Sequence, residues 1–165
     1  MKSRRILFVC TGNTCRSVMA QGLLQQRLKQ LEGRLRGPIE VVSAGVFAIE
    51  GMSPSRETLK LLQHAGVDLA GHMAQGLTDE MIRQAELVLV MEPFHREEIL
   101  RRLPEAAGKT HLLKQFGVPE TAESLAAGIP DPIGKPMEVY EACLAIIQEA
   151  VERVAQHVAS SEKSA

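Results

Sequence analysis

The chain has 165 residues, 45% of them hydrophobic, with a formal net charge of -1 at pH 7, which suits one domain with its own core and excludes a disordered or fibrous chain. A charge this close to zero gives no global pull toward nucleic acid or an anionic membrane, so any affinity for an anion has to be local. Aromatic residues make up 3% and tryptophan is absent, which argues against a surface built to stack bases.

The N-terminal stretch MKSRRILFVCTGN is basic and then briefly apolar. The apolar run breaks at Thr11, too early for a signal peptide, and no stretch approaches the ~20 apolar residues of a membrane span. Ile6 to Val9 reads as a buried parallel strand. RSVMAQGLLQQRLKQLEGRL follows with helical spacing of Val18, Leu23, Leu24, Leu28 and Leu31, and Ser17 is expected to cap its start. IEVVSAG reads as the second strand. SPSRETLKLLQHAGV opens on serine and proline and closes on glycine, as a helix does. LTDEMIRQA is a short helix capped by Thr78, with Asp79 and Glu80 as N-terminal charges. ELVLVME is the strongest strand pattern, and PFHREEILRRLP is a proline-started helix with a solvated charged face. THLLKQF is expected as the fourth strand. Residues 119–136 read as a long loop. MEVYEACLAIIQEAVERVAQHVA is a long amphipathic helix, with Cys143 on its apolar face and Tyr140 near its start, packed in the core or flanking a pocket. Residues 1–158 form one domain on this reading, and 159–165 a frayed tail. Strands that alternate with helices imply an α/β fold: a four-stranded parallel sheet with helices on both faces. Ligands of such sheets sit at the carboxyl ends of the strands, near a switch in strand order.

The loop after the first strand, Cys10 to Ser17, occupies that place and carries the chemistry. A strand–loop–helix junction gathers backbone N–H groups into one concavity, and the helix N-terminus adds positive potential. Gly12 is expected to take a conformation other residues resist. Asn13 tolerates a left-handed backbone and can tie the loop to itself. Thr11, Gly12, Asn13, Thr14, Cys15 and Arg16 would then wrap a tetrahedral oxyanion, with Arg16 gripping two oxygens. A thiol beside a helix N-terminus and an arginine ionises more readily than a free one, so Cys10 reads as a nucleophile toward phosphorus, and Ser17 as a donor to its sulfur. Three cysteines make no disulfide framework and suit a reducing cytoplasm. Cys15 is open to two readings, inert packing or a partner that traps oxidised Cys10. His64, His95, His111 and His157 show no partner in the sequence and read as surface. A nucleotide-binding P-loop is excluded, because no Gly-Lys-Ser/Thr follows the glycine.

C-x-x-x-x-x-R-S straight after an N-terminal strand resembles the signature of the low-molecular-weight protein tyrosine phosphatases. SAG at Ser43 to Gly45, His72 in GHMAQ, and Asp131–Pro132 before the last helix extend the resemblance over nearly the whole chain. It implies attack by Cys10, charge stabilisation by Arg16, acid–base work by Asp131, support of Asn13 by His72, and a phosphocysteine intermediate. Neither a metal nor a cofactor is implied, and the expected partners are phosphorylated proteins met by a cytoplasmic monomer. CTGNTCRS and SAGVFA resemble the family's bacterial protein-arginine phosphatases, which makes Thr14, Phe47 and Ile133 the expected specificity positions. Thr14 stands where tyrosine-specific members carry a larger aliphatic residue, and Ile133 where they carry aromatics. Val18 replaces a proline common in the family. The alternatives are a tyrosine phosphatase and an arsenate reductase on the same fold. The latter needs further thiols in a mobile segment, whereas Cys143 lies in a helical pattern.

Overall fold

Along Ile6–Val9 every residue is buried, so both faces of this strand need a cover. The computed structural model, which describes residues 4–163, supplies it. Strand β1 (Arg4–Cys10) lies inside a four-stranded sheet of order β2-β1-β3-β4, with β2 at Ile39–Gly45, β3 at Leu87–Val90 and β4 at Thr110–Leu112. All three pairings are parallel. Ile6 and Phe8 face one layer, made by α1 (Arg16–Gln30), α2 (Arg56–His64) and α6 (Met137–Lys163). Leu7 and Val9 face the other, made by α3 (Asp79–Gln84) and α4 (Pro93–Arg102). The strand period of two therefore divides β1 between two apolar clusters. Because β1 has β2 on one side and β3 on the other, the chain order reverses at β1. The segments leaving β1 and β3 thus meet at one end of the sheet.

Local signals place most elements where the residues suggest. Thr78 accepts from the Met81 N–H to cap α3, with Asp79 and Glu80 in its first turn. Ser55 accepts from the Thr58 N–H to start α2. Other expectations need correction. Cys15, not Ser17, stands at the N-cap of α1 and makes no side-chain cap bond; the Ser17 hydroxyl is engaged inside the loop instead. The fourth strand stops at Leu112, after which Phe116 N–H turns back to Leu112 O at 3.0 Å. A 3-10 turn at Pro104–Lys109 precedes it. The long loop holds a short helix, α5 (Ala122–Ala126), capped by Thr121. Helix α6 continues through Lys163 into the stretch read as a tail, whose last two residues lie outside those described. Cys143 and Tyr140 both pack in the core.

Candidate active site

The loop between β1 and α1 is set by one residue in an unusual conformation. Asn13 has φ 54°, the one positive φ among the described non-glycine residues, whereas Gly12 has none. The expectation for Gly12 is therefore corrected: its neighbour makes the left-handed turn, because a short amide can repay that conformation with hydrogen bonds. Asn13 is fully buried and makes them. Its Nδ2 donates to Ser17 Oγ at 2.8 Å and Ser43 Oγ at 2.9 Å, and its Oδ1 accepts from the Gln75 N–H at 3.0 Å. His72 Nε2 lies 3.3 Å from the Asn13 carbonyl oxygen. Burial holds the His72 pKa below its usual value, partly offset by that bond.

The end of β2 closes the loop from behind. A Cβ on Gly45 would sit 2.4 Å from Thr11 O and 3.0 Å from Asn13 N, so no larger residue fits. The N–H groups of Val46 and Phe47 donate to Cys10 O at 3.0 Å and Thr11 O at 2.9 Å. Phe47 is bound to the loop by its backbone while its side chain is 74% exposed.

Cys10 Sγ receives the Asn13 N–H at 3.2 Å and lies 2.9 Å from Ser17 Oγ. Because Ser17 Oγ already accepts from Asn13, its own proton is free to point at the sulfur. Arg16 is 1% exposed. Its Nη1 donates to Glu92 Oε2 at 2.6 Å and to Ile129 O at 2.7 Å, and its Nη2 lies 3.6 Å from Asp131 Oδ2. The loop bearing Asp131 is docked on the end of β3, where Ile129 N–H donates to Met91 O at 2.8 Å. Asp131 Oδ1 accepts from the Ile133 N–H at 3.1 Å, which leaves Ile133 53% exposed beside it. Thr14 is 9% exposed, with Oγ1 3.8 Å from Cys15 Sγ, and its carbonyl accepts from the Ser55 N–H at 3.0 Å. Cys15 is buried, its sulfur 3.4 Å from Ser55 Oγ and 3.9 Å from Tyr140 Oη. Cys143 is also buried, and desolvation pushes its thiol up to about 12. The fold thus brings Cys10, Thr11, Asn13, Arg16, Ser17, His72 and Asp131 to one end of the sheet. Among the described residues no group of His, Cys, Asp and Glu is arranged to hold a metal.

The sequence did not place Glu92 or His95 at this site. Glu92 carries the carboxylate that holds Arg16. His95, expected at the surface, is fully buried, 2.9 Å from Thr11 Oγ1. The signal for both was the stretch MEPFH, which follows the strongest strand at its carboxyl end. His111 and His157 also have a partner, since each ring packs against Phe116.

Desolvation and then the Arg16 charge hold the His95 pKa down from 6.5 to about 3. The unfolded chain gains a proton at this ring below pH 6.5, and the folded chain only near pH 3. A folded pKa below the unfolded one leaves this ring's contribution intact above 6.5 and removes it progressively as pH falls toward 3. The slope reaches at most about 1.4 kcal/mol per pH unit. Urea unfolding across that range should show the decline, and His95→Asn should flatten it; parallel curves for the two proteins would contradict the assignment.

The low molecular weight phosphotyrosine protein phosphatase family matches residues 5–164. A protein-arginine-phosphatase of Geobacillus stearothermophilus is 42% identical over 158 residues, 96% of this chain and 98% of that protein. The YwlE arginine phosphatase structure from Geobacillus stearothermophilus superposes with a TM-score of 0.84 at 41% identity, over 98% of this chain and 96% of that one. A probable low molecular weight protein-tyrosine-phosphatase, EpsP of Ralstonia nicotianae, is 34% identical over 149 residues, 90% of this chain and 92% of that protein.

Proposed function

This chain belongs to the low molecular weight phosphotyrosine protein phosphatase family, and from that premise we propose that it hydrolyses phosphoarginine in proteins through a phosphocysteine on Cys10. It is a cysteine-dependent phosphatase, and phosphorylated proteins are its substrates. The observation that carries the choice of phosphoarginine is the 42% identity, over almost the whole of both chains, to a protein-arginine-phosphatase.

The geometry supports a two-step mechanism. The thiolate of Cys10 attacks phosphorus from the floor of the loop. Backbone N–H groups from Thr11 to Arg16, with the Arg16 guanidinium, stabilise the charge on the equatorial oxygens. Glu92 and Ile129 O hold that guanidinium in place before substrate arrives, so little reorganisation accompanies the reaction. As the bond from phosphorus to the leaving nitrogen breaks, protonated Asp131 gives its proton to the departing guanidine. The resulting carboxylate then takes a proton from water, whose oxygen attacks phosphorus. The S–P bond breaks, phosphate leaves and the thiolate is restored, stabilised by the Ser17 hydroxyl. The three free cysteines fit a reducing cytoplasm, no described helix is long and apolar enough to cross a membrane, and we infer a cytoplasmic monomer. Fractionation of the cell and light scattering of the purified protein test those two points, and a membrane-bound or stably dimeric protein would refute them.

Phosphotyrosine is the second reading. Exposed Phe47 and Ile133 flank the loop and could lie against an aryl ring. The buried, high-pKa thiol of Cys143 makes it a poor electron relay and disfavours an arsenate reductase. The Thr14→Ile variant tests Thr14 as the residue that selects between the first two. A guanidinium N–H left without a partner in a desolvated pocket costs about 1–3 kcal/mol, roughly ten- to a hundredfold in rate. Thr14→Ile should therefore lower kcat/KM on phosphoarginine by that factor and spare or raise it on phosphotyrosine. An unchanged ratio would remove Thr14 as the selector. A wild-type protein that turns over phosphotyrosine protein but not phosphoarginine protein would overturn the first reading.

A further inference from the structure

We propose that His95 is a positioning residue of this site, a neutral imidazole that orients the hydroxyl of Thr11 so that Thr11 donates its proton to the phosphoryl group held by Arg16. The proposal rests on the loop being the phosphate cradle described above. His95 lies in the first turn of α4 and is fully buried. The backbone N–H of Glu92 can only donate, and it meets His95 Nδ1 at 3.0 Å. Nδ1 is therefore the bare acceptor nitrogen, and a neutral ring carries its proton on Nε2. That nitrogen faces Thr11 Oγ1 at 2.9 Å, so it donates there. Arg16 Nη2 reaches the same oxygen at 3.4 Å, and a guanidinium has no acceptor.

The Thr11 hydroxyl thus accepts twice, once from His95 and once from Arg16. Both its lone pairs are engaged, and its proton is left for a third partner. Thr11 follows the thiol directly, and its carbonyl is already fixed by the Phe47 N–H at 2.9 Å. A phosphoryl oxygen drawn to Arg16 is the acceptor that remains beside it. Without His95 the hydroxyl would be free to rotate and spend its proton elsewhere. The same ring also holds the backbone of Glu92, whose carboxylate grips Arg16. The contacts form a closed circuit, Arg16 to Glu92 to His95 to Thr11 and back to Arg16. The low His95 pKa agrees with a ring that stays neutral throughout the working pH range.

His95→Asn separates this role from capping. Asparagine offers an acceptor near the place of Nδ1 and can keep the Glu92 N–H, but it ends there and cannot reach Thr11. The readouts are kcat and KM on an aryl phosphate, competition by orthophosphate, and the urea midpoint at pH 7.5. His95→Asn should keep its fold and lose about tenfold in kcat/KM, with weakened orthophosphate competition. Thr11→Val should lose as much or more. Adding His95→Asn to Thr11→Val should then cost nothing further, because the intermediary is already gone. Losses that multiply in the double variant, or full activity in a folded His95→Asn protein, overturn the proposal. If His95→Asn does not fold, Thr11→Ser and Thr11→Val decide with His95 in place. Serine should stay within about twofold while valine falls about tenfold, and equal loss or no loss in both overturns the proposal. A wild-type protein that neither hydrolyses the aryl phosphate nor binds orthophosphate would instead sink the phosphatase reading, and this proposal with it.

Discussion

Cys10→Ser should abolish turnover, by about 10⁴-fold or more, while the protein still binds orthophosphate and still folds. The reason lies in what the substitution leaves untouched. On the proposed mechanism the anion is gripped by backbone N–H groups and Arg16. The Asn13 N–H, which meets the sulfur at 3.2 Å, can meet a serine oxygen instead, and Arg16 keeps Glu92 and Ile129 O as partners. Serine differs from cysteine by one atom, so the buried position is not emptied. What disappears is the nucleophile. A serine hydroxyl holds its proton at neutral pH and needs a neighbouring general base. The side chain within hydrogen-bond reach of that position, Ser17, is another hydroxyl. Titration calorimetry with orthophosphate, a thermal melt and a turnover assay on one preparation settle the matter. Appreciable residual turnover would sink the covalent mechanism. Loss of phosphate binding together with turnover would mean that the sulfur helps to hold the loop.

Asp131→Asn should slow the release of basic leaving groups by about 10²–10⁴-fold and barely change the release of an activated aryl oxide. The variant is close to isosteric, and its Oδ1 can still accept from the Ile133 N–H, so the turn after the carboxylate is kept. The transferable proton is removed, together with the charge that faces Arg16 at 3.6 Å. The carboxylate is 39% exposed and 3.6 Å from the Arg16 guanidinium, within reach of a leaving group on a phosphoryl bound there. The later step also needs Asp131, as a base toward water, so steady-state rates mix two effects. The first burst of leaving group isolates the attack step. If burst rates for a basic and an activated leaving group fall by the same factor, Asp131 is not the acid.

Much of this site could be read from the chain because its parts are close in sequence or carry a strong local signal. Cys10 and Arg16 bound one loop, and the loop must follow β1 because the apolar run ends there. The bounds of β2, Ile39–Gly45, were legible to the residue, because its apolar stretch ends in the small residues Ser43 to Gly45. Asn13 was legible as a turn residue, whereas Gly12 misled: a glycine suggests a positive φ, but the neighbouring amide takes it. Ser17 misled in the same way, because a serine at a helix start suggests a cap and cannot show that its hydroxyl is engaged by Asn13 and Cys10.

The sequence by itself determined the alternating order of strands and helices and the parallel sheet, and it marked the loop after β1 as the candidate site, because these depend on hydrophobic period and on neighbouring residues. Tertiary structure alone decided what surrounds Arg16. Glu92, His95 and Ile129 lie 76 or more residues from the loop they support. They reach it because β3 pairs with β1 and delivers its carboxyl end to the same end of the sheet. A histidine in a charged helical stretch looks like surface until that pairing buries it, and burial then forces its polar atoms to find partners.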